Sequence, residues 1–219
     1  MKYSLAIFDF DGTLADSFPF FVSAVNRLAD QHGFNRLDID NLDEIRGYDI
    51  KTILKHVNLP LWKTPIIGNH YKKLMAENIH SIKMFEGIET TLRALAKYDI
   101  TLAVVSSNSS DNVKEVLGAE LSSLIGHFEC GASLLGKRAH LKKILRHSGY
   151  ERHQAIYIGD EVRDRDAAQG ERIDFGAVAW GYATPAALQA RTPQLMFQTP
   201  AEIVGRLAPQ INKEAVSAW

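Results

Sequence analysis

Short apolar runs alternate along the chain with stretches whose apolar residues recur at helical spacing. Leu5 to Phe8, Thr101 to Val105, Ala155 to Ile158 and Phe175 to Ala179 read as buried strands, with a weaker one at Gln194 to Phe197. Helical patterns lie between them, at Gly87 to Lys97, Asn112 to Leu117, Lys137 to His147, Arg163 to Gln169 and Pro185 to Arg191. This alternation predicts βαβ units on a parallel sheet. Strands that are apolar throughout predict a sheet covered on both faces. From about Phe18 to Ile82 the alternation stops. Phe20, Val22, Val25, Leu28 and Ala29 form a helical stripe ending at Gly33, and further helices are predicted at Asp49 to His56 and Pro65 to Asn78. The expectation is an all-helical insertion over 17–82, with residues 1–16 and 83–219 forming the α/β core. The competing reading lays these helices directly on the sheet.

Composition narrows the class. The chain has 219 residues, enough for a sizeable core, and 46% hydrophobic with 23% charged residues is ordinary globular usage. A formal net charge of -1 gives no global pull toward nucleic acid or anionic membrane. The single cysteine, Cys130, excludes an intrachain disulfide and reads as a small buried hydrophobe. No apolar run is long enough to span a bilayer, and the N-terminus lacks the features of a signal peptide, so a cytoplasmic address is expected.

The chemistry concentrates in Phe8-Asp9-Phe10-Asp11-Gly12-Thr13-Leu14. Two acids one residue apart at the end of a buried strand project into one small space, where α/β sheets bind ligands. Gly12 permits a tight turn there. Ser106, followed by Ser107 and Asn108, ends a second strand, and on its own reads as a loop or capping serine. Lys137 stands near a helix start, among Arg138, Lys142, Lys143 and Arg146, and by itself reads as one more surface lysine on a basic helix. Asp160, Glu161 and Asp164 follow a third strand, where they either serve a metal or cap and charge the next helix.

Asp9-Phe10-Asp11-Gly12-Thr13 resembles the first motif of the haloacid dehalogenase-like hydrolases. Ser106, Lys137 and the Asp160-to-Asp164 segment resemble the other three motifs, in the same order. The match departs from the family at Arg138, where a proline is frequent. The resemblance implies a Rossmann-like doubly wound parallel sheet with an inserted α-helical cap domain, of the phosphoglycolate-phosphatase-like type. It implies a Mg2+-dependent phosphatase for a small phosphorylated metabolite. Asp9 would be the nucleophile and Asp11 the general acid and base. Ser106, Ser107 and Lys137 would hold the phosphate. The metal would take Asp9, the Asp11 backbone carbonyl and Asp160, supported by Glu161 and Asp164. Asp11 favours phosphoester over dehalogenase chemistry, because an alcohol leaving group needs a proton. A sugar phosphomutase, a phosphonatase using a cap lysine, and a non-catalytic binding protein of the same fold stay open. Arg46, in Arg46-Gly47-Tyr48 between cap helices, is a candidate for meeting an anionic substrate group.

Several other signals carry less. Gly131 to Lys137 has P-loop spacing, but Arg138 stands where Ser or Thr would bind magnesium, and the preceding strand, His127 to Cys130, is poor. The basic helix from Lys137 has an apolar stripe at Leu141, Ile144 and Leu145 and no interleaved aromatics, so no nucleic-acid partner is expected. The eight histidines lack zinc spacing. Trp62, Trp180 and Trp219 read as packing residues.

Overall fold

The computed structural model describes residues 2–46, 48, 50–131 and 136–208. Among them a six-stranded sheet runs through the centre, every neighbouring pair parallel. Its strands are β1 (Leu5–Phe8), β4 (Thr101–Val105), β5 (Ile125–Glu129), β6 (Ala155–Gly159), β7 (Asp174–Val178) and β8 (Leu195–Phe197), in the order β5-β4-β1-β6-β7-β8. β1 is central: Phe8 sits level with Val104 on one side and Ile158 on the other. A pair of two-residue strands, β2 (Ala15–Asp16) and β3 (Lys83–Met84), runs antiparallel where the chain leaves and re-enters this unit.

Alternation along β1 feeds two cores. Ala6 and Phe8 face a layer completed by α5 (Ile88–Lys97), α6 (Ser110–Leu124) and α10 (Pro200–Leu207). Leu5 and Ile7 face the other, completed by α7 (Lys137–Ser148), α8 (Val162–Glu171) and α9 (Pro185–Gln189). Each such fully buried aliphatic or aromatic side chain contributes roughly 1.5–3 kcal/mol.

Between β2 and β3 lie only helices among the described residues: α1 (Phe18–His32), α2 (Leu42–Arg46), α3 (Ile50–His56), α4 (Thr64–Glu77) and three short 3-10 turns. α1 begins with Pro19 in its first turn and ends on Gly33. Its buried stripe, Phe18, Val22 and Leu28, packs with Leu37, Ile45, Val57, Leu59, Ile67 and Leu74 in a third apolar cluster. Tyr182, from the loop after β7, packs against that cluster.

Some expectations change. His127 to Glu129 is the end of a true strand, β5, whose half-buried edge position allows polar residues, and Cys130 lies just beyond it. α6 runs on to Leu124 through a kink at Gly118. Trp62 is not a packing residue: it is 70% exposed, with Lys63 over its ring. Trp180 does pack, edge-on to Phe85, and donates to the Thr13 carbonyl. Cys130 is half-buried against the first core. Trp219 and residues 132–135 of the P-loop-like run lie outside the described residues.

Candidate active site

The site forms at the carboxyl ends of β1, β4 and β6. Asp9 directly follows β1, and its backbone N–H donates to the Ile158 carbonyl at 2.8 Å, so the ladder fixes it in place. Its carboxyl is buried. Lys137, in the first turn of α7, reaches it from the neighbouring face: Nζ donates to Asp9 Oδ2 at 2.6 Å and to Asp164 Oδ1 at 2.5 Å. All three side chains are almost wholly sealed from solvent. Arg138, next in sequence, turns outward to pair with Glu171, and Lys143 pairs with Glu129. The helix thus sends one cation inward and keeps others on its outer face.

Asp160, the residue after β6, is fully buried and fixed on both oxygens. Thr13 Oγ1 donates to Oδ1 at 2.8 Å, and the Tyr182 N–H donates to Oδ2 at 2.7 Å. Two glycines make room for it. Gly12 has φ +77°, a turn L side chains rarely adopt, and a Cβ there would run into the Asp160 carboxyl. A Cβ on Gly181 would overlap the Asp160 side chain at its root. Asp164 does double work: Oδ2 accepts the Glu161 N–H at 3.1 Å, closing a capping box on α8, while Oδ1 takes Lys137 and the Tyr157 hydroxyl. Glu161 pairs with Arg163.

Asp11 is half-buried. Ser17 Oγ donates to its Oδ1 at 2.8 Å, and Asn108 Nδ2 reaches its Oδ2 at 3.4 Å. Ser106 directly follows β4 and is fully buried, with its Oγ accepting the Asn108 N–H at 2.9 Å; Ser107 is half-buried in the same loop. Arg46 ends α2 with its guanidinium 4.5 Å over the Phe18 ring. Phe18 in turn packs edge-on against Tyr182 at 5.1 Å. Two rings, Phe18 and Tyr182, therefore stand between Arg46 and the acids. Gly47 lies outside the described residues.

Electrostatics follow from this crowding. Burial pushes the Asp9 carboxyl up to about 7, with Lys137 pulling it down and Asp164 pushing it up. Asp11 is raised by burial, against the hydrogen bond from Ser17 and the charge of Lys137. Asp160 is held well above the carboxylate range by burial and then by Glu161 and Asp9. Burial opposes the charge on Lys137, but Asp164 and Asp9 outweigh it and keep the ammonium protonated.

Oxygens of Asp9, Asp160 and Asp164 lie within 4.8 Å of one another. All-oxygen, acidic and crowded by like charge, this donor set fits a hard divalent cation such as magnesium. Asp164 is the addition to the expected ligands; its shared bond to Lys137 makes it equally a partner of that ammonium.

The residues the sequence did not single out are Tyr157, Arg163 and Tyr182; Asn108 was named only as part of the loop after Ser106. Tyr157 and Arg163 sit within or beside the Asp160-to-Asp164 motif yet carry no pattern of their own, and Tyr182 lies well beyond it.

A sequence profile described as haloacid dehalogenase-like hydrolase matches residues 6–178. The chain belongs to that family. It is 29% identical over 199 residues to the phosphoglycolate phosphatase of Synechococcus elongatus, covering 90% of this chain and 94% of the relative. It is 24% identical over 201 residues to the 5'-nucleotidase of Pseudomonas aeruginosa, covering 88% and 90%. A solved haloacid dehalogenase-like hydrolase from Streptococcus pneumoniae superposes with a TM-score of 0.80 at 20% identity, covering 93% of this chain and 98% of the other. That likeness supports the expected α/β fold. Among the described residues no helix is long and apolar enough to cross a membrane.

Proposed function

We propose that this member of the family is a magnesium-dependent phosphomonoesterase that works through an aspartyl-phosphate on Asp9. The observation that carries the reading is the Asp9–Lys137–Asp164 bridge beside Asp160: a nucleophile candidate and a cation held together at the end of the central strand. The names of the relatives, phosphoglycolate phosphatase and 5'-nucleotidase, both denote phosphomonoesterases and support a small phosphorylated metabolite as substrate.

Phosphoryl transfer needs positioning and charge neutralisation above all. Asp9 Oδ attacks phosphorus in line as the bond from phosphorus to the ester oxygen breaks. Asp11 gives its proton to the departing alcohol, then takes one from the water that opens the acyl phosphate. Burial, which raises its carboxyl, keeps that proton available. Lys137 offsets the charge on Asp9 and on the phosphoryl oxygens, and Ser106 with the loop behind it donates to those oxygens. Asp9 and Asp160, with Asp164 beside them, would hold magnesium, which would screen the repulsion between carboxylate and phosphate.

We assign residues 17–82 as a cap that closes over this site and excludes bulk water, supported by the third apolar cluster, to which most of their buried apolar residues belong, and by its contact with Tyr182, while Met75, Ile79 and Ile82 join the segment to the first core. Arg46 is assigned to the substrate side of that cap.

The test is phosphate release from p-nitrophenyl phosphate and a panel of small phosphomonoesters, with magnesium and with EDTA, beside Asp9→Asn. Turnover that needs both the metal and Asp9 supports the reading. Normal turnover by Asp9→Asn overturns it.

A further inference from the structure

We infer that Tyr182 is a positioning residue for Asp11, orienting the acid–base carboxyl through Ser17 and tying that orientation to the seat of α1. The inference rests on the phosphatase reading above.

Tyr182 Oη and Ser17 Oγ are 2.9 Å apart, and Ser17 Oγ donates to Asp11 Oδ1 at 2.8 Å. A serine hydroxyl has one proton to give. Ser17 gives it to Asp11, so at the other contact the serine accepts and the tyrosine donates. The chain therefore has a direction, Tyr182 to Ser17 to Asp11. Each link leaves the next hydroxyl one orientation to adopt. The other partner of Asp11, Asn108 at 3.4 Å, is long and weak.

The same residue touches two further parts of the site. Its backbone N–H donates to Asp160 Oδ2 at 2.7 Å. Its ring meets Phe18 edge-on at 5.1 Å and Phe21 at 5.8 Å, both in the first turn of α1. Ser17, fully buried, is the residue immediately before that helix. A shift of α1 relative to the sheet would move Ser17 and the ring contacts together, and Asp11 would lose its short hydrogen bond at the same moment. A carboxyl that must hand its proton to a leaving oxygen is sensitive to such a loss of aim.

The test compares kcat/KM for wild type, Tyr182→Phe, Ser17→Ala and the double variant on two esters. One is an alkyl phosphate, whose alcohol needs a proton to leave. The other is p-nitrophenyl phosphate, whose phenolate departs unaided. Tyr182→Phe keeps the ring packing and removes only the hydroxyl. Each single variant is expected to lose about 3- to 10-fold on the alkyl ester, the worth of one hydrogen bond, and little on the aryl ester. The double variant is expected to lose no more than Ser17→Ala alone, because Tyr182 acts through Ser17. Equal losses on both esters, or losses that multiply in the double variant, would overturn the inference. If wild type turned over neither ester, the phosphatase reading itself would fail, and that is visible before any variant is compared. Should Tyr182→Phe fold poorly by its melting curve, Tyr182→Leu is compared in its place, and an ester ratio unchanged from wild type overturns the inference.

Discussion

Lys137 Nζ donates to Asp9 Oδ2 across 2.6 Å, and neither side chain reaches solvent. The two residues are far apart in sequence and come from different elements, so the contact exists only in the folded chain. The contact gives Lys137 a structural part and, under the proposed function, a catalytic one. Lys137→Met leaves Asp9 and Asp164 buried without their cation. Breaking such a buried pair costs about 3–5 kcal/mol. Urea denaturation should show a midpoint shifted down accordingly. In folded protein kcat should fall by about two to three orders of magnitude, since a positioned charge facing the transferring group is gone. Full activity in the variant would remove Lys137 from the site.

Thr13→Val tests the support behind Asp160. Valine keeps the volume and deletes the 2.8 Å donation to Asp160 Oδ1. Partners of this kind typically account for about 10- to 100-fold in metal affinity. The magnesium concentration for half-maximal activity should rise by that factor while saturating magnesium restores most of kcat. EDTA should silence wild type and variant alike, with magnesium reviving both.

Gly181→Ala places a methyl where the Asp160 side chain begins. The obstacle is the root of a fixed side chain, so the strain cannot be relieved by a rotamer change. Overpacking of this sort costs about 1–3 kcal/mol. Melting temperature should drop, and magnesium titrations should show weakened binding. Gly33→Ala, where nothing lies near the added methyl, isolates backbone strain as a comparison.

The Cys130 thiol gives a pH prediction. Burial, and then the neighbouring Glu129 charge, push it up to about 11. The native state thus holds its proton where an unfolded thiol, near pKa 8.5, has lost it. Stability from this group is complete below that unfolded value and is lost as pH rises toward about 11. Alkylation of native protein by iodoacetamide at pH 8 should be slow, and should accelerate as pH climbs. Fast labelling at pH 8 would contradict the burial of this side chain.

How legible all this was in the sequence depended on the reach of each interaction. β1 and β4 were readable to the residue because a strand covered on both faces is apolar at every position. β5, with Gly126, His127 and Glu129, was not, since an edge strand tolerates polar side chains. α10 was missed although Ile203 and Leu207 are buried, because eight residues give too few turns for periodicity to show. In the site, Asp9, Asp11 and Asp160 stood out because strand ends concentrate them. Lys137 was singled out from a basic run only by its order among the motifs, and it is the buried one. Tyr182 was unreadable: its contact to Ser17 spans 165 positions, and no local pattern encodes a partner so distant.

The central place of β1 sets how the site fails. The Asp9 amide is hydrogen-bonded to Ile158 in the middle strand of the sheet, with neighbours on both sides. Amides of this kind exchange with solvent through opening of the whole fold rather than by local fraying. The loop holding Ser106 and Asn108 borders only β5 on its outer side, where the sheet ends. Under mild denaturant the Ser106 loop, the proposed phosphate-binding side, would therefore loosen first, while Asp9 stays seated until the domain itself gives way.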